Sequence, residues 1–142
     1  MDRRPARGHR RVPHTADVRV EAWAPSRAEC LAEAVTAVVA SFADTGGLTP
    51  TGTAGFDVPA GRDEDLLVAV LDEVVFRLET EGTLPVATEV TGTSDGGLRV
   101  RWRTTGTDAV EAVGAVPKAV ALHGLRFGRD ATGWSCAVTL DV

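Results

Sequence analysis

At 142 residues the chain is long enough for one domain around a single core. Hydrophobic residues make up 44% and charged residues 25%, a globular balance that excludes a low-complexity or fibrous chain. Five arginines (Arg3, Arg4, Arg7, Arg10, Arg11) crowd the first eleven positions, leaving 10 basic against 19 acidic residues beyond them, a net of −9 that argues against a general nucleic-acid binder.

Other classes fall away on simple grounds. No apolar run approaches the ~20 residues that span a bilayer. No apolar segment follows the basic N-terminus as a secretory leader requires. Two cysteines, Cys30 and Cys136, make no disulfide framework and sit on apolar faces, where a reduced thiol behaves as a small hydrophobe. The expected location is therefore the cytoplasm, away from membranes. Residues 1–11 are expected to form a basic disordered tail, and residues 12–142 the domain.

In chain order, residues 14–24 alternate as a half-buried strand, with Ala16, Val18, Val20, Ala22 and Ala24 on one face and Asp17 on the other. Ser26 and Glu29 are spaced as a capping box. Leu31, Ala34, Val35, Val38 and Phe42 then repeat at helical spacing, with Asp44 to Gly47 as the stop. Pro50 to Gly55 reads as a loop, and Phe56 and Val58 as a short strand. Asp63, Glu64 and Asp65 start a second helix, where negative charge meets the positive end of the macrodipole. Leu67, Val70, Leu71, Val74 and Leu78 form its buried stripe, widened by Leu66, Val75 and Phe76, and Gly82 stops it.

Four strands follow. Val86, Thr88 and Val90 share a face of the first. Ser94 to Gly97 is a tight turn, and Leu98, Val100 and Trp102 alternate with Arg99, Arg101 and Arg103. A loop from Gly106 to Pro117 leads into a strand from Lys118 to Phe127. The last strand alternates Trp134, Cys136, Val138, Leu140 and Val142 with Ser135, Ala137, Thr139 and Asp141. The pattern predicts an α+β, two-layer single domain: a largely antiparallel sheet of about six strands with two helices on one face.

Motifs for phosphate loops, dinucleotide folds, nucleophile elbows and helical zinc proteases are absent from the sequence. What remains is polar residues at strand ends. If the first and last strands pair, Asp17, Asp141 and a terminal carboxylate at Val142 bring three oxygen groups together, which suits Ca²⁺, Mg²⁺ or Mn²⁺. On spacing alone, two solvated carboxylates are the blander reading. His14 can cap the first strand or bind metal. His123 alternates with Ala121 and Leu125, as a satisfied core histidine would. Lys118 is the single lysine among 15 cations and opens a strand, where a surface position is ordinary. The Arg99, Arg101 and Arg103 strip could bind phosphate, although a solvated sheet face is the simpler account.

At these residues the sequence resembles the archease family. The matching stretches are His14-Thr15-Ala16-Asp17-Val18, Glu64-Asp65-Leu66-Leu67, Glu79-Thr80-Glu81-Gly82, Lys118-Ala119-Val120 with His123-Gly124-Leu125, and Leu140-Asp141-Val142. The resemblance implies a non-catalytic accessory protein that activates an RtcB-type RNA ligase in tRNA splicing and RNA repair. That partner joins RNA ends with GTP and Mn²⁺ through a guanylylated histidine, so RNA and GTP would be met only through the ligase. Asp17 and Asp141 match the family's metal positions, with Val142 as a third ligand, and Lys118 matches its basic position. Arg19 stands where a small residue is common, and Glu111 where many members carry His. The competing readings are a metal-dependent phosphoester hydrolase and a chaperone-like binding module without metal.

Overall fold

The computed structural model describes residues 5–12 and 17–142, with only the backbone given at Val12. The elements run β1 (Gly8–Val12), β2 (Asp17–Ala24), α1 (Arg27–Ala40), β3 (Ala43–Asp44), β4 (Gly52–Val58), α2 (Asp63–Glu81), β5 (Thr83–Gly92), β6 (Leu98–Gly106), β7 (Glu111–Ala112), β8 (Ala119–Asp130) and β9 (Gly133–Asp141). All strand pairs are antiparallel. The expected α+β class and its two helices are present. The strands divide into three sheets, however: β1-β2-β9-β8, β4-β6-β5 and the ribbon β3-β7. None of the described helices is long and apolar enough to cross a membrane.

The helices follow their sequence cues. Ser26 caps α1: its hydroxyl oxygen accepts from the Glu29 amide at 3.2 Å, and its hydroxyl donates to the Glu29 carboxylate at 2.9 Å. Such a cap contributes roughly 1 kcal/mol. Cys30, Leu31, Ala34, Val35 and Val38 then face the core. The helix ends earlier than expected, at Ala40, where the Ser41 amide donates to the carbonyls of Ala37 and Val38. Phe42 is buried just beyond the helix, and Ala43 and Asp44 turn into β3. In α2, Leu66, Leu67, Val70, Leu71, Val74 and Leu78 are buried, and Gly82 adopts φ 64° as the left-handed C-cap. Phe76 does not widen the buried stripe as its spacing predicts; it is 55% exposed.

Three further expectations are corrected. Gly8–Val12 is no tail: it forms an edge strand on β2, although residues 1–4 lie outside the described set. Side chains hold it there. Arg7 pairs with Glu33 at 2.7 Å and Glu29 at 3.3 Å, His9 contacts Glu33, and Arg10 pairs with Glu21 at 3.2 Å. Gly8 fits because any Cβ there would strike the Trp23 ring at 2.8 Å. Gly52 to Gly55 is strand, not loop, because β4 finds a complete partner in β6. The stretch from Gly106 to Pro117 holds a 3-10 turn (Thr107–Ala109) and the short strand β7, which pairs with β3.

The core lies between the helices and one face of each larger sheet. In the four-stranded sheet, Val18, Val20 and Ala22 of β2 face Leu140, Val138 and Cys136 of β9 in register. The opposite face of β9 is also covered: Ser135, Ala137 and Thr139 are 5%, 1% and 2% exposed. Long side chains from neighbouring strands do this. Arg126 donates to the Ser135 hydroxyl at 2.8 Å, and Arg19 to that of Thr139 at 2.9 Å, laying their stems over small residues.

Candidate functional site

The first residue of β2 and the last of β9 meet. Asp17 and Asp141 are direct register partners, and Ala119 of β8 is the third member of that row. Direct antiparallel partners have Cβ atoms ~5 Å apart on the same face. Here that is the face opposite the core, because Val18 and Leu140 take the core side. Asp17 is half-buried and Asp141 exposed. Lys118 precedes β8, and its amide donates to the Asp141 carbonyl at 2.7 Å, so its chain position is locked beside the pair. Its side chain is exposed and makes no ion pair among the described residues.

Two carboxylates so placed repel, and a cation between them relieves that repulsion. Hard divalent ions prefer such oxygen donors. Among the described residues, no cluster of three or more His, Cys, Asp or Glu side chains is placed to hold a metal. Further donors would have to be main-chain oxygens, such as those of Val142, or groups brought by a partner. Val142 follows Asp141 and packs its half-buried side chain against the core, which leaves its main chain at the end of the Asp17–Asp141 row. His14 lies outside the described residues.

The next row down the sheet is built differently. Arg19 faces Thr139, and Thr139 faces Ala121. After Ala121 the β8 register slips, and pairing resumes only at Arg126 opposite Ala137. Residues 122–125 therefore bulge from the edge strand. Gly124 makes the bulge feasible at φ 69°. Arg19 pins it, donating to the Gly124 carbonyl at 3.1 Å as well as to Thr139. His123 is exposed within this bulge, not set in the core, because the bulge breaks the alternation that placed it beside Ala121 and Leu125.

Arg19 is the positioning residue that sequence reasoning did not assign. The available cue was Gly124, an isolated glycine inside a strand pattern, which marks a bulge. Other candidates separate from the site. Asp63 pairs with Arg27 at 3.0 Å and Asp65 with Arg62 at 3.3 Å, as a helix-start charge run would. On the solvent face of β6, Arg99 pairs with Asp57 at 3.1 Å, and Arg101 and Arg103 are exposed. Cys30 and Cys136 are buried in mutual contact, and that contact, with burial, pushes the Cys30 thiol far above its ordinary range.

Comparison with known proteins finds relatives over nearly the whole chain. The "Probable protein archease" of Mycobacterium tuberculosis is 50% identical over 135 residues, covering 95% of this chain and 75% of that protein. The "Protein archease" of Archaeoglobus fulgidus is 26% identical, covering 94% of this chain and 98% of that protein. Two solved structures share the fold. A Methanobacterium thermoautotrophicum protein matches with a TM-score of 0.74 at 20% identity, covering 95% of this chain and 99% of its own. A Thermotoga maritima protein, described as "an archease, possible chaperone", matches with a TM-score of 0.66 at 22% identity, covering 100% of this chain and 98% of its own. The profile of the Archease protein family matches residues 9–142, and the chain belongs to that family.

Proposed function

We propose that this chain is a non-catalytic activator of an RtcB-type RNA ligase in the cytoplasm, serving tRNA splicing and RNA repair. It promotes guanylylation of the ligase and lets it turn over repeatedly. RNA and GTP are met only through the ligase. The observation that supports this reading is the direct pairing of Asp17 with Asp141, two carboxylates from opposite ends of the chain in one row. They fit a divalent cation, Ca²⁺, Mg²⁺ or Mn²⁺, with a main-chain oxygen of Val142 as the third donor. The cation would supply concentrated positive charge at a surface that otherwise carries net repulsion.

The chain's own residues do the remaining work. The β2–β9 ladder fixes the spacing of the carboxylates. Lys118, anchored through its amide to the Asp141 carbonyl, carries a mobile ammonium that can meet a phosphate of the ligase's nucleotide. His123, exposed on the bulge, and His14 supply further imidazole nitrogens for the partner or the cation.

The test is a ligation assay with the ligase in excess over this protein. Multiple turnover of the ligase and faster guanylylation are expected on adding the wild type. Unchanged turnover would remove the function. An Asp141→Ala variant that stimulates as well as the wild type would remove the site and leave the function standing.

A further inference from the structure

On the helix side of the β8 edge lies a groove with a different character. It holds about 430 Å³ between the first half of α2 and the bulge of β8. Val68, Ala69, Leu122 and Leu125 form its apolar surface. Leu122 is 68% exposed, more than any other large hydrophobic side chain among the described residues. The rim is acidic. Glu64, Asp65 and Asp72 come from α2, and Arg62 opposes them, already paired with Asp65. Phe76, one helical turn beyond Asp72, continues an exposed apolar track along the same helix.

Two features set this groove apart from an ordinary solvated surface. The first is that its wall is fixed in place. Leu122 and Leu125 ride on the bulge that Arg19 ties to Thr139, so a strand edge has been distorted and braced with a leucine left in water. The second is that Asp72 lines this apolar groove, where partial desolvation disfavours its charge and raises its pKa. Exposed apolar side chains ringed by like charges form a recognition surface with a definite complement.

We infer that this groove docks a short amphipathic segment of the ligase, one that inserts one or two large apolar side chains against Leu122 and Leu125 and sets Lys or Arg side chains against Glu64, Asp65 and Asp72. This rests on the function proposed above and adds the surface through which it acts. The bulge forms one wall of the groove and follows Ala119, the β8 member of the Asp17–Asp141 row, along the same edge strand, so a partner seated on the helix side of that edge must reach around it to meet the carboxylate pair and Lys118 on the other face.

The experiment measures binding of the full-length ligase to the whole chain by calorimetry, with wild type, Leu122→Ser and Asp72→Lys in parallel. Leu122 is too exposed for its substitution to disturb the core, and melting curves verify this. Leu122→Ser should weaken binding at least roughly tenfold, as loss of a central apolar anchor does. Asp72→Lys should weaken binding several-fold and flatten its dependence on salt. Mn²⁺ binding by either variant alone should match the wild type. If both variants bind the ligase as the wild type does, the groove assignment is overturned and the function stands. If the wild type itself does not bind, both fall. A dimer of this chain that Leu122→Ser dissolves would assign the groove to a second copy and overturn the inference.

Discussion

Asp17 and Asp141 stand directly opposite one another, the opening residue of β2 against the closing residue of β9. Like charges in that position cost some fraction of 1 kcal/mol, roughly the reverse of a favourable cross-strand pair. Asp17→Asn or Asp141→Asn should therefore raise the metal-free stability by about 0.5 kcal/mol. The same substitutions should abolish stabilisation by the ion. At a hundred times its dissociation constant a cation adds about 2.7 kcal/mol to the wild type. Thermal melting over Ca²⁺, Mg²⁺ and Mn²⁺ titrations, with a chelator control, reads both effects. A variant whose melting temperature climbs with metal as the wild type's does would remove the two carboxylates as ligands.

Alternation gave both strands their faces and set Asp17 and Asp141 on the side away from the apolar stripe, but their pairing entered the sequence reading only as a condition, because strand register is a long-range property that the β2–β9 ladder supplies. The helices were legible through Ser26, the Asp63–Asp65 charge run and Gly82. Long-range pairing hid the rest. Nothing local in Gly52 to Gly55 announces a strand, yet β6 supplies every partner. The arginines before Val12 read as a solvated leader because their acids, Glu21, Glu29 and Glu33, lie at least eleven residues away in sequence. Phe76 matched the buried period of α2, but none of the described elements covers that flank. The bulge at 122–125 needs Arg19, 105 residues distant from Gly124, to explain its shape.

Arg19 holds that bulge through two hydrogen bonds, one to a buried threonine hydroxyl and one to a carbonyl at positive-φ Gly124. Hydrogen bonds from a charged donor contribute about 1.5–3 kcal/mol, partly offset by the exposure of the guanidinium. Arg19→Ala should destabilise the fold by roughly 1–2 kcal/mol. Gly124→Ala should cost about 1 kcal/mol, because alanine tolerates that φ poorly. Its Cβ would also meet the Arg19 guanidinium at 3.1 Å. Hydrogen exchange should quicken at residues 122–125 in both variants, with α1 protected as before. Uniform loss of protection across the chain would contradict a local role for Arg19.

Cys30 of α1 touches Cys136 of β9, and both thiols are buried. Hydrogen bonding to Cys136 first, then burial, holds the Cys30 thiol protonated far beyond its ordinary range. The same contact pushes the Cys136 thiol the other way, downward, so inertness to alkylation near pH 8 rests on burial, Cys30 and Cys136 being 0% and 2% exposed. Labelling with a thiol reagent should be negligible in buffer and should yield two modified cysteines in denaturant, at a rate set by unfolding. Rapid native labelling of one thiol would show that the α1–β9 contact opens readily.

Asp72 tests the cost of the acidic groove. Partial desolvation in the groove it shares with Leu122 and Leu125 raises its pKa above the ordinary 3.8. A carboxyl whose folded pKa is raised favours folding most below its unfolded pKa and loses that advantage as pH climbs through the folded value. At neutral pH the ionised group is therefore a burden on the fold. Asp72→Asn removes the charge, so it should raise the melting temperature at pH 7. The gain should shrink as pH falls and vanish below about 3.8, where the wild-type group is protonated in both states. Melting curves from pH 3 to pH 8 give the comparison. A gain that stays constant with pH would mean that the substitution acts through packing or helix propensity, and a loss at pH 7 would mean that the carboxylate has a favourable partner at the groove.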